Sequence, residues 1–172
     1  PYAVPPFLRD LALLDMVEIT GSTVAAARLL NVSQPTVSRR LRMICNDLQI
    51  TGSLRERPGQ RREPNTCLRL LRRGICHHRW DAACLRFGMD ATLPRPTGDR
   101  VQWVALRVEQ PSDWASLMQA EVIDGALVTA EDQAALASCG DCWIPPQGWG
   151  GGGLLTRRHP KVRRLVEALV RT

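Results

Sequence analysis

The sequence predicts a helical N-terminal domain built on a winged helix-turn-helix, then a linker helix, then a small α/β region. Three observations carry that fold class. Apolar residues recur at helical spacing over the first 50 positions and are interrupted by two capping signals. A segment rich in Arg, Pro and Gly follows, which cannot hold a regular helix. Beyond position 100, two runs alternate like strands on either side of a short helix.

In "FLRDLALLDMVEI" (7–19), Leu8, Leu11, Leu14 and Met16 or Val17 fall at roughly helical spacing, with Asp10, Asp15 and Glu18 among them. Thr20-Gly21-Ser22 ends this helix and starts another, because glycine tolerates the left-handed turn and serine or threonine caps. "TVAAARLL" (23–30) is a short alanine-rich helix, capped by Ser22 or Thr23 and broken by Asn31-Val32. Ser33 caps a third helix that runs to about Leu48. Pro35 is tolerated in its first turn, where amide hydrogens have no intrahelical partner. Three helices with a tight break between the second and third make a helix-turn-helix unit.

In "NVSQPTVSRRLRMI" (31–44), Val37, Leu41 and Ile44 face inward. Positions 35, 38, 39 and 42 share the opposite face. Such a helix inserts its N-terminal residues at base edges in the major groove. Gln34 suits adenine, Thr36 a thymine methyl, and Arg39 and Arg42 guanine or phosphate, with Ser38 and Arg40 serving the backbone.

"GSLRERPGQRREPN" (52–65) reads as an extended basic loop or wing. Its Arg55, Arg57, Arg61 and Arg62 would neutralise phosphates. From Cys67 on, Leu68, Leu71, Ile75, His78, Ala82, Leu85 and Met89 recur in steps of three and four, a heptad seam. This predicts a linker helix over 67–93 that dimerises through Leu68, Leu71, Ile75 and Leu85, with a helix packed on its own domain as the alternative. The resulting division is 1–66, winged helix-turn-helix; 67–93, linker; 94–172, α/β region.

"RVQWVALRV" (100–108) and "VIDGALVTA" (122–130) read as strands, with "PSDWASLMQAE" (111–121) as the helix between them. A β-α-β unit of this length seeds a parallel sheet. "CGDCWIPPQGWGGGG" is a loop, and "HPKVRRLVEALVRT" is an amphipathic helix with Val162, Leu165, Val166, Leu169 and Val170 on one face.

Charge is segregated along the chain. Residues 1–100 hold 16 basic and nine acidic side chains; residues 101–150 hold one and seven; the last 22 hold six and one. All the basic residues except Lys161 are arginine, whose planar guanidinium binds phosphate and guanine bidentately. The basic front favours a polyanion.

"GSTVAAARLLNVSQPTVSRRLRMICNDLQI" resembles the winged helix-turn-helix of LysR-type transcriptional regulators. Gly21-Ser22, Ala26-Ala27, Leu30, Val32-Ser33-Gln34-Pro35, Ser38-Arg39 and Leu48 all sit in register with the family's hallmark. The resemblance covers about the first 50 residues without a gap. It implies a regulator that binds double-stranded DNA as a homodimer. The residues it places at the DNA are Gln34, Pro35, Thr36, Ser38, Arg39 and Arg42; the full expected set adds Ser33 and the four wing arginines. Val24 stands where the family usually has a threonine cap, Gln49 where it has a glycine, and Gly52-Ser53 where it has an apolar pair. The later β-α-β piece and closing helix resemble parts of the family's two-lobed, periplasmic-binding-protein-like effector domain. The first strand and helix of that domain are missing from the reading, leaving a truncated remnant from which a small-molecule cleft between lobes is hard to build.

Other chemistries find less support. Cys139-Gly140-Asp141-Cys142 suits a thiol redox pair or half a zinc site, the rival reading, but Cys76, His77, His78 and Cys84 offer no second clean pair. "GWGGGG" lacks the strand-to-helix context and the lysine of a phosphate loop, and no catalytic serine, histidine and acid arrangement stands out. No cofactor and no enzymatic activity are expected. A shortened regulator that only heterodimerises with full-length relatives is a further alternative. Six cysteines without a signal sequence suggest reduced thiols in a cytoplasm, and no apolar run reaches membrane-spanning length. The first residue is Pro1, without an initiating methionine, which leaves a start upstream open.

Overall fold

Helix ends set the layout of the N-terminal part. A 3-10 turn (Pro6–Leu8) leads into α1 (Arg9–Thr20), which closes on Gly21 at φ 62°. α2 (Thr23–Leu30) and α3 (Gln34–Asp47) follow, then α4 (Thr66–Asp81). The computed structural model describes residues 3–4, 6–50, 65–96, 99–106, 108, 110–137, 142–143 and 152–170, without the side chains of Phe7, Cys142, Trp143 and Val170. The chain forms two compact units, one over Ala3–Ile75 and one from Cys76 onward, so that α4 contributes to both.

In the first unit, α1 buries Leu11, Leu13, Leu14, Met16, Val17 and Ile19, with Ala26 and Ala27 of α2 and Val37 and Leu41 of α3 also buried. These three helices pack pairwise. Small alanines on α2 allow the close approach that a helix-turn-helix needs. Asp15 and Glu18 are also buried, and both pair with Arg72 of α4.

The second unit is a five-stranded sheet in the order β2-β1-β3-β5-β4. Its strands are β1 (Leu85–Asp90), β2 (Val101–Leu106), β3 (Gly125–Val128), β4 (Cys142–Trp143) and β5 (Gly153–Arg157). β1 runs parallel to both β2 and β3, with Phe87 opposite Trp103 on one side and Gly125 on the other. β5 is antiparallel to β3 and to β4. One face packs Leu85, Phe87, Met89, Val101, Trp103, Leu127 and Leu154 against Cys76 and Trp80 of α4 and Val162 and Val166 of α7 (Pro160–Val170). Leu165 and Leu169 of α7 pack on the same cluster while only half-buried. On the other face lies α5 (Ser112–Gln119), whose buried Trp114 ring fills the space a side chain at Gly88 would take. α6 (Ala130–Leu136), which the sequence reading missed, is capped by Thr129, whose side chain accepts from the Asp132 amide.

Two expectations are corrected. The linker helix does not run to residue 93: α4 stops at Asp81, and the chain turns through Ala83 at φ 53°, with the Cys84 amide on the Arg79 carbonyl. Leu85 and Met89 therefore lie in β1, fully or nearly fully buried, and share no helical seam with Leu68 and Leu71. A spacing of four is even, so it suits one face of a strand as well as one face of a helix. β1 is also the strand whose absence the sequence reading inferred. It is present, and the described residues between Ala91 and Arg100, on the return to β2, contain no helix.

Candidate nucleic-acid interface

The site is the α2–turn–α3 unit, and local capping builds it. The Ser22 hydroxyl accepts from the Ala25 amide at 3.3 Å, which settles the cap of α2 on Ser22. α2 ends on Asn31 at φ 53°, a left-handed position that asparagine tolerates, and the Val32 amide reaches back to the Ala27 carbonyl. The Ser33 hydroxyl then accepts from the Thr36 amide at 3.4 Å and pairs with the Thr36 hydroxyl at 2.8 Å. Pro35 sits in the first turn of α3.

α3 is two-sided as expected. Val37 and Leu41 are buried and Ile44 is half-buried. Gln34, Pro35, Arg39 and Arg42 are exposed, with Thr36 and Ser38 half-buried beside them. A row of polar and cationic side chains thus emerges from one helix over an apolar anchor, within reach of base edges and phosphates if the helix enters a groove. Arg40, expected to serve the DNA backbone, has its guanidinium 3.4 Å from Asp10 of α1, with both side chains about half exposed. Met43 is exposed on the same helix, a feature the sequence reading left unassigned.

Thr23 was also missed. Its hydroxyl accepts from Gln34 Nε2 at 3.3 Å, and the same nitrogen donates to the Ser38 hydroxyl at 2.7 Å. Thr23 and Gln34 are eleven residues apart, so no local spacing signals their meeting.

Not all of the basic front faces outward. Arg72, Arg79 and Arg86 are buried. Arg72 pairs with Asp15 and Glu18; burial alone would lower its pKa, but the two carboxylates outweigh that and hold the guanidinium above its ordinary range. Arg79 pairs with Asp124 at 2.9 Å, and Arg86 donates to Gln102 at 2.9 Å. These arginines hold helices and strands in place rather than a polyanion.

Arg55, Arg57, Arg61 and Arg62 of the wing lie outside the described residues. The four expected dimer residues are not brought together: Leu68 and Ile75 are buried, Leu85 is in β1, and Leu71 is 38% exposed. The open apolar surface of α4 is instead Leu70 and Leu71, with Cys67 exposed one turn earlier. Of the rival thiol pair, Cys139 and the Cys142 side chain also lie outside the described residues. Among the described residues no three metal-ligating side chains converge, and no helix is long and apolar enough to cross a membrane. His77 instead packs edge-on against Trp80 and His159.

Residues 8–63 match the family model of the bacterial regulatory helix-turn-helix proteins of the lysR family. No curated protein matches the chain. Among solved structures, the chain is similar to ArgP from Mycobacterium tuberculosis, with 20% identity and a TM-score of 0.37 over 83% of this chain and 52% of that one. It is also similar to a putative LysR family transcriptional regulator from Pseudomonas aeruginosa, at 16% identity and a TM-score of 0.34, over 81% of this chain and 51% of the other. A third is HinK, a LysR family transcriptional regulator from Pseudomonas aeruginosa, at 14% and 0.29, over 81% and 51%. The chain spans about half the length of these structures. The match to the lysR-family helix-turn-helix model spans the whole of α1, α2 and α3, the helices that build the site.

Proposed function

We propose that the protein is a cytoplasmic, non-enzymatic transcription regulator that binds double-stranded DNA in a sequence-specific way as a homodimer. The observation that carries this is the exposed row Gln34, Pro35, Arg39 and Arg42 on α3, anchored by buried Val37 and Leu41, inside the segment that matches the LysR family. Gln34, Thr36, Arg39 and Arg42 read bases. Ser33, Ser38 and Pro35 start and seat the helix against the backbone, and Arg55, Arg57, Arg61 and Arg62 add phosphate contacts. Each helix-turn-helix covers one half-site, so a dimer is needed for a full operator. The exposed Leu70 and Leu71 of α4 support self-association.

Selection of bound duplexes from a random library, at two salt concentrations, tests this. The expected result is a motif of two half-sites and an affinity that falls steeply with salt. Recovery of no enriched motif, with equal retention of all duplexes, overturns the reading.

A further inference from the structure

Gln34 is held from two sides before any partner arrives. Its amide nitrogen donates to Thr23 on α2 and to Ser38 one turn along α3. A glutamine amide has two N–H donors and one carbonyl oxygen with two lone pairs. Both donors are thus engaged with hydroxyl groups of the protein. The Oε1 atom has no partner among the described residues, and the side chain is exposed.

We propose that Thr23 is a positioning residue for base choice, fixing Gln34 so that it offers an acceptor to the groove. This inference rests on the DNA-binding reading above. A free glutamine is ambidentate: it donates and accepts, which suits adenine through N6 and N7 and tolerates acceptor-only edges by turning its amide over. A glutamine with its nitrogen committed to Thr23 and Ser38 presents oxygen only. In the major groove the bases offering a donor are adenine, through N6, and cytosine, through N4; guanine and thymine present acceptors at that edge. The held glutamine therefore selects adenine or cytosine and rejects guanine and thymine. Ser38 lies one turn from Gln34 on the same helix, whereas Thr23 supplies a hold from the other helix of the pair. Loss of Thr23 leaves one nitrogen proton free to seek N7 or O6.

Random-library selection with the full chain tests this in four forms: unaltered, Gln34→Ala, Thr23→Val and Thr23→Ser. Gln34→Ala locates the base pair that Gln34 reads. At that pair the unaltered chain is expected to favour adenine or cytosine by about tenfold, the range of a good side-chain-to-base contact. Thr23→Val is expected to cut this preference severalfold and admit guanine, with the other positions of the motif unchanged. Thr23→Ser, which keeps the hydroxyl, is expected to restore it. Thermal melts of the variants accompany the selection, because a purely structural role of Thr23 would lower stability and weaken all positions equally. That uniform weakening overturns the proposal, as does an unchanged profile in Thr23→Val or a preference for guanine or thymine in the unaltered chain. Absence of any motif in the unaltered chain is a different failure, and brings down the DNA-binding reading itself.

Discussion

Arg72 on α4 donates through Nε to Asp15 on α1 at 2.7 Å, and both side chains are almost wholly buried. Glu18, one turn further along α1, binds the same guanidinium through Nη2. One cation thus serves two buried carboxylates, and removing it takes a buried ion pair from each. Arg72→Met is expected to destabilise the first unit by about 3–5 kcal/mol, the cost of breaking a buried pair. Urea unfolding of the variant measures it. The triple replacement Arg72→Met, Asp15→Leu, Glu18→Leu should recover most of the loss, since apolar groups of similar size carry no desolvation cost. A single variant as stable as the parent would show that the cluster is hydrated.

α3 ends on a residue that disfavours its own conformation. Gln49 has φ 52°, and the Ile50 amide binds the Cys45 carbonyl at 2.8 Å, closing the helix in the manner that glycine usually serves. The left-handed backbone crowds the side chain of an L-residue at a cost of about 1–2 kcal/mol. Gln49→Gly is therefore expected to stabilise the protein by up to about 1 kcal/mol, after glycine's greater unfolded-chain entropy is set against it. A thermal melt checks the sign. A lower midpoint would mean that the Gln49 side chain makes contacts worth more than the strain.

The proposed split between arginines that read bases and arginines that contact phosphate is testable on DNA. Arg39, exposed on α3, is expected to contribute about 1–3 kcal/mol of discrimination at one base pair, so Arg39→Ala broadens the motif there. Arg61→Ala should weaken binding to all duplexes alike and reduce the salt slope by about one. Titrations on specific and random duplex at several salt concentrations separate the two. Equal loss on both duplexes for both variants would refute this division of roles.

These residues also show what the sequence made legible. Ser22, Ser33 and Pro35 announce helix starts because caps act within three or four residues, so the helix-turn-helix could be read locally. β1 could not, because Leu85 and Met89 satisfy a strand face and a helix face alike. Arg72, Arg79 and Arg86 were counted with the basic surface because charge is visible in a sequence and burial is not. Thr23 escaped for a related reason: its meaning lies in a partner on another helix. The cap of α6 did leave a signal, Thr129 three residues ahead of Asp132, but a helix of seven residues is too short to show periodicity.

Tight packing across the sheet gives a sharper test of the second unit. Gly125 on β3 lies opposite Thr156 of β5, and a Cβ there would stand 2.5 Å from the Leu155 carbonyl oxygen and 2.9 Å from the Phe87 ring. The Phe87 ring belongs to the buried cluster, and the carbonyl is backbone. No rotamer change clears the carbonyl. Gly125→Ala is thus expected to cost about 1–3 kcal/mol, as overpacking does, through displacement of β5. Urea unfolding reads the loss, and a midpoint equal to the parent's would mean that the strands separate freely at this point.

His159 is expected to make the stability of the second unit depend on pH. Its ring lies 4.5 Å from Trp80 and 5.7 Å from His77, and its Nδ1 accepts from the Lys161 amide in the first turn of α7. Burial pushes its pKa below the ordinary 6.5, and the nearby positive charges of Arg157, His77 and Lys161 push the same way, against a smaller opposing pull from Asp124. Protonation would put a proton on the nitrogen that now accepts and add charge beside Arg157, which itself lies over the Trp80 ring. With the folded pKa depressed, the unfolded chain binds the proton more readily. The contribution is therefore complete above about pH 6.5 and is lost as pH falls below it, toward the folded value. Unfolding midpoints at pH 7.5 and 5.5 are expected to fall on acidification, and His159→Phe, which keeps a ring against Trp80, should flatten the difference. An equally steep decline in His159→Phe would move the acid sensitivity to another group.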